Sequence, residues 1–191
     1  MSVTLASVLR RAALALVAGV AIATPMAAKA SLTDGLSIRV GGFFPSTSGA
    51  RTLVRTAAWG GGIEYKVPWF PKVFNGEHWS TSLSADLHYS ETRDGILRYI
   101  PVSINQVYSF EEQNGHVPYA GFALTAATFG TTPGPSGAVG RQPMITRLGG
   151  GVILGINFTR SLYVEGRYEW FDKHGSIVNP EGFRGYLGWR F

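Results

Sequence analysis

Asp86, His88 and Ser90 occupy alternate positions of one short segment. An acid, an imidazole and a hydroxyl are the parts of a nucleophilic hydrolase. Period-two spacing puts all three on one face of a strand, with Glu91 adjacent. It also separates neighbours by about 6.6–7 Å, too far for a direct proton relay without side-chain bending. The direction in which His88 and Ser90 point therefore decides whether a hydrolase is possible here. The remaining histidines, His78, His116 and His174, fall in connections without ligand-like spacing, and the chain has no cysteine. Metal binding is not expected, and disulfides and thiolate catalysis are excluded. Gly60-Gly61-Gly62 and Gly149-Gly150-Gly151 have no following helix to cradle a phosphate and read as bends or close packing. No cofactor is implied.

A second constellation is larger. Arg39, Lys66, Arg147, Arg167, Arg184 and Arg190 alternate with apolar residues, as do Glu64, Asp86, Glu165 and Glu169. Charges away from bulk water cluster with partners. If these ten share an enclosed face, they form an interlocking ion-pair network or line a path for ions. The first reading is preferred, because a narrow barrel holds side chains and little else.

Strands must position both constellations. Alternation recurs over about 35–44, 57–67, 79–90, 96–110, 117–129, 146–158, 161–171 and from about 183 to the terminus, punctuated by Gly, Pro, Asn and Asp. Eight is an even number, so both ends of the chain can lie on one side. The alternation falters at Gln106, which suggests a bulge or an early exit from a lipid zone. A soluble barrel would turn the apolar face inward, and a membrane barrel would turn it out. The charges share their face with glycines, as a narrow lumen requires. Aromatics (Phe43, Phe44, Trp69, Phe70, Trp79, Trp170, Phe171, Trp189, Phe191) gather near strand ends like interfacial girdles. Short connections at 111–116 and 157–161 alternate with long ones at 130–143 and 172–182, although the long 68–78 connection breaks the scheme. These features predict an all-β chain, an eight-stranded antiparallel up-and-down transmembrane β-barrel.

The 191 residues suit one domain behind a leader. Arg10 and Arg11, the apolar run 12–23, Pro25 and Ala28-Lys29-Ala30 read as a signal peptide over 1–30, leaving a barrel domain over 31–191. The apolar run spans about 18 Å as a helix, short of the roughly 30 Å bilayer core. Removing Arg10, Arg11 and Lys29 lowers the formal charge from +5 to +2. The basic balance therefore belongs mostly to the export signal, and no nucleic-acid partner follows from it. Arg51, Arg55, Arg93, Arg98 and Arg141 lie in or beside the outer connections, as solvated charge or as contacts for lipopolysaccharide phosphates.

The last strand, Arg184-Gly185-Tyr186-Leu187-Gly188-Trp189-Arg190-Phe191, ends on an aromatic residue with Leu187 and Trp189 alternating upstream. It resembles the C-terminal signal by which the barrel assembly machinery of Gram-negative outer membranes recognises its substrates. Tyr186 stands where the usual pattern has glycine. With the leader and the eight strands, the chain resembles the small outer-membrane β-barrels of the OmpA/OmpX/OmpW-like group. The resemblance implies the fold and a place in the outer membrane; the function expected with it is a non-enzymatic monomer with a side-chain-filled lumen, in contact with outer-membrane lipid and lipopolysaccharide and serving membrane integrity or surface interaction. Two rivals remain, since the group hosts several activities. One is an OmpW-like channel for small or apolar solutes. The other is a hydrolase, because His88-Tyr89-Ser90 resembles the His-x-Ser element of outer-membrane lipid A deacylases; there the motif lies late in the chain, here in the third strand.

Overall fold

Period-two alternation gives each segment one face for an interior and one for the outside, and closing such a sheet removes its unpaired edges. The computed structural model describes residues 35–54, 57–68, 70, 75–172 and 178–191. The leader expected over 1–30, together with Arg55, Trp69 and His174, lies outside the described residues. Among the described residues eight strands follow in order: β1 (Leu36–Pro45), β2 (Ala58–Lys66), β3 (Trp79–Thr92), β4 (Gly95–Ser109), β5 (Val117–Pro133), β6 (Gln142–Asn157), β7 (Leu162–Phe171) and β8 (Gly182–Arg190). Each pairs antiparallel with the next, and β8 closes on β1 through Ile38↔Trp189 and Phe44↔Phe183. The result is a closed up-and-down barrel. One short helix, α1 (Ser48–Arg51), lies in the β1–β2 connection.

The barrel is inside out relative to a water-soluble protein. Val40, Leu148 and Leu154 on its outer wall are 63%, 68% and 65% exposed, whereas Arg39, Asp86 and Arg184 are 2%, 3% and 0% exposed. Narrowness is met by setting large residues against glycine. Tyr119 lies over Gly155 and Tyr163 over Gly188, each pair in register across neighbouring strands, in space that a Cβ would fill.

Several expectations are corrected. Gln106 carries no bulge, since it pairs continuously with Thr81 on one side and Phe122 on the other. The register shift falls instead between Phe129 and Thr131. Gln106 is nevertheless buried, as are Thr81 and Val67. The 68–78 connection explains this end of the barrel. Asn75 donates to the Val67 carbonyl (2.6 Å) and accepts from the Thr81 N–H (2.8 Å), holding itself against the wall. Strands β5 and β6 run past their expected ends, so the loop expected over 130–143 shrinks to 134–141. Arg93 lies, as expected, in an outer connection, the two-residue turn between β3 and β4. Phe43 and Phe171 are not girdle residues; both are buried inside.

Candidate functional site

The lumen is layered. The upper level is apolar. The β1–β2 connection turns Ala50, Leu53 and Val54 onto Leu97, Tyr99, Ala127, Phe129 and Phe171, forming a cap across the upper mouth. Ser46 and Thr47 bond the carbonyls of Glu181 and Asn179 (2.9 and 2.7 Å), which fastens this cap to the β7–β8 connection.

Below the cap lies the ionic level. Alternation points Arg39 of β1, Glu64 of β2, Asp86 of β3, Glu165, Arg167 and Glu169 of β7 and Arg184 of β8 into one space. Arg39 grips Asp86 with two nitrogens, Nε and Nη2, at 2.7 Å each, the planar fork geometry that only Arg offers a carboxylate. Its Nη1 reaches Glu64 at 2.8 Å and Glu165 at 3.4 Å. Arg167 bonds Glu165 at 2.5 Å and Glu64 at 3.3 Å, while its Nη1 donates to Asn105 at 2.8 Å. Arg184 joins Asp86 (3.1 Å) to Glu169. Tyr99 and Thr125 donate to Glu169 (3.0 and 2.8 Å), and Tyr119 donates to Glu165 (3.0 Å). Three guanidiniums and four carboxylates thus form one continuous cluster. Every charge meets an opposite charge, and Glu64, Glu165, Glu169, Arg167 and Arg184 make further hydrogen bonds to neutral groups, the condition under which buried ions are tolerated.

Two of the ten expected members, Lys66 and Arg190, stand apart from this cluster. Lys66 is exposed at the lower rim. Arg190 donates to Asn157 at 2.7 Å and lies over the Tyr163 ring, not against the acids of β7. Arg147 is half-buried in β6, opposite Ala127. The sequence does not mark out the tyrosines, Asn105 and Thr125 by type, although their inward register with the charges is a usable signal.

Asp86, His88 and Ser90 do share the inner face, but they form no relay. Asp86 spends both oxygens on Arg39 and Arg184. Ser90 Oγ donates to the Leu53 carbonyl at 2.9 Å, holding the cap. His88 is fully buried, with Nε2 3.1 Å from Tyr186 Oη and Nδ1 3.3 Å from the Ala58 carbonyl. Its tautomer follows from donor counting. The Ala58 carbonyl can only accept, so Nδ1 carries the imidazole proton and donates it there; in the neutral ring Nε2 then accepts from Tyr186 Oη, which itself accepts from Arg184 Nη1 (3.0 Å). Imidazole 15N spectra of the folded barrel at pH 8 should show the Nδ1-protonated tautomer. Tyr186→Phe, which leaves Nε2 without a donor, should erode that preference. An Nε2-protonated ring in the wild type would overturn the assignment.

Among the described residues no group of three or more His, Cys, Asp or Glu is placed to hold a metal ion. No protein-family model matches the chain, and neither does any curated protein sequence. Among solved structures the chain is similar to that of neisserial surface protein A (NspA), with a TM-score of 0.47 and 16% identity, covering 81% of this chain and 90% of that one.

Proposed function

We propose that this chain is a non-enzymatic outer-membrane β-barrel of a Gram-negative bacterium, exported behind a cleaved signal peptide over 1–30. In this reading its lumen is filled by its own side chains, and its upper connections serve membrane integrity or surface contacts. The observation that carries the reading is the exposed apolar wall of a closed barrel whose charges are inside. In water that wall would be a large unsatisfied hydrophobic surface, and in lipid it is the expected one. The ionic level and the apolar cap both cross the lumen, which favours a plugged barrel over an OmpW-like channel. His88 and Ser90 face that same lumen, whereas a lipid A hydrolase needs its site open to lipid.

Leu187, Trp189 and Phe191 point outward from the closing strand and are about half exposed, as a strand read by the barrel assembly machinery needs to be. Arg51, Arg93 and Arg141 are exposed at the upper end, where lipopolysaccharide phosphates would meet them. The protein is expected to fractionate with the outer membrane as a monomer and to give no single-channel steps in planar bilayers. Recovery as a soluble periplasmic protein would overturn the membrane reading. Unitary conductance steps would overturn the plugged lumen and restore the channel.

A further inference from the structure

The lower mouth of the barrel opens into a cavity of about 130 Å³ to which all eight strands contribute. At roughly 30 Å³ per water it has room for about four waters, a space suited to a small ion and not to a large solute. Its lining is polar, and the polarity is lopsided. The two acids at its inner end are already engaged by guanidiniums and hydroxyls. Glu64 accepts from Ser82 on Oε1 (2.5 Å) and from Arg39 and Arg167 on Oε2 (2.8 and 3.3 Å). Glu165 accepts from Arg39 and Arg167 on Oε1 (3.4 and 2.5 Å) and from Tyr119 on Oε2 (3.0 Å).

The two cations are not saturated. Lys66 and Arg190 line the cavity from either side of β1. The Lys66 backbone N–H donates to the Gly35 carbonyl (2.8 Å), and Arg190 pairs with Ser37. Arg190 gives one nitrogen to the neutral Asn157, and neither cation forms an ion pair among the described residues. Like charges flanking one strand repel. The Ser80 and Ser109 hydroxyls, also in the lining, add further donors. The space therefore holds two cations without an ion pair and free hydroxyl donors, while its two carboxylates are already held by guanidiniums.

We infer that the lower mouth is a binding site for a small oxyanion, a phosphate or carboxylate group held between Lys66 and Arg190. Calorimetric titration of the folded barrel in non-ionic detergent at low ionic strength, with inorganic phosphate in one arm and acetate in the other, should give saturable binding of at least one. Lys66→Met and Arg190→Gln should each weaken it about tenfold, the loss expected for one charge-assisted hydrogen bond. Lys66→Arg should restore it. Arg160→Gln, an exposed cation in the neighbouring 158–161 turn, should leave it unchanged. The heat-dependent gel shift of each variant establishes that it is folded. No saturable response in the wild type, or equal binding by the Lys66 and Arg190 variants, overturns the site. A free ion and a lipid headgroup present the same chemistry. Phosphatidylglycerol added to the micelles displaces the bound ion if the headgroup is the natural occupant and leaves it in place if a free ion is.

Discussion

Glu165→Lys should lower the temperature at which the barrel loses its folded gel mobility by roughly 10 °C or more. Glu165 is 3% exposed and accepts from Arg167, Arg39 and Tyr119 at 2.5, 3.4 and 3.0 Å. A lysine there places a third cation between two guanidiniums in a confined space and leaves the Tyr119 hydroxyl facing a donor. Breaking a buried pair from one side costs about 3–5 kcal/mol. In a chain of this size each kcal/mol moves the midpoint by about 2–4 °C. Glu165→Gln separates the two contributions, because its amide oxygen can still accept from Tyr119 while the charge is lost. Its midpoint should fall between wild type and Glu165→Lys. Glu112→Lys, in the exposed lower turn, reverses the same charge in water and should shift the midpoint little, within the 0–1 kcal/mol typical of surface pairs. Equal midpoints for the Glu165 and Glu112 reversals would mean that the ionic level does not hold the barrel together.

The wall was legible in the sequence because period two is a local signal. Leu162, Val164, Tyr168 and Trp170 alternate with Tyr163, Glu165, Arg167 and Glu169, and any strand with one wet and one dry face must show it. The direction of the faces was legible too, since glycines travel with the charges. What escaped is non-local. Ala50, Leu53 and Val54 look like loop residues because nothing nearby in sequence shows that they cover Leu97 and Phe129. Phe43 and Phe171 sit at strand ends, where girdles form, and only the lumen's closure under the cap separates them from that role. The pairing of Arg39 with Asp86 spans β1 to β3 across the lumen, past the intervening β2. Register along neighbours cannot foresee a contact across the bore. Pro101 is a further case. It has no N–H to give, and the β3–β4 ladder skips Asp86 and Leu87 opposite Ile100 and Pro101. The gap lies beside the residue that two arginines hold.

Gly60→Ala should prevent the barrel from reaching its folded form, and Gly150→Ala should not. Gly60 and Gly41 face each other across β1 and β2 on the inner wall. A Cβ at Gly60 would run into the Leu87 carbonyl oxygen and approach His88 Cα at 2.8 Å; at Gly41 it would meet the Gly185 carbonyl oxygen. These obstacles are backbone atoms of the adjoining strand, so no change of rotamer clears them. Overpacking typically costs about 1–3 kcal/mol, and more where backbone rather than a side chain must move. Gly60 is also in register with His88, two residues from the carbonyl of Ala58 that receives the imidazole proton. Pushing β2 away from β3 at this point would pull apart the junction between the ionic level and the cap. Gly150 faces outward, with the nearest atoms around a new methyl at 3.6 Å on Trp170 and 3.7 Å on Ala123. Alanine there meets ordinary van der Waals contact and removes the entropy that glycine loses on ordering, about 0.5–1 kcal/mol. The comparison isolates the tightness of the inner wall from any general intolerance of side chains in the glycine runs. Were Gly60→Ala to fold with a wild-type midpoint, the strands would have to be further apart at this level, and the enforced contact of His88 with Ala58 would go with them.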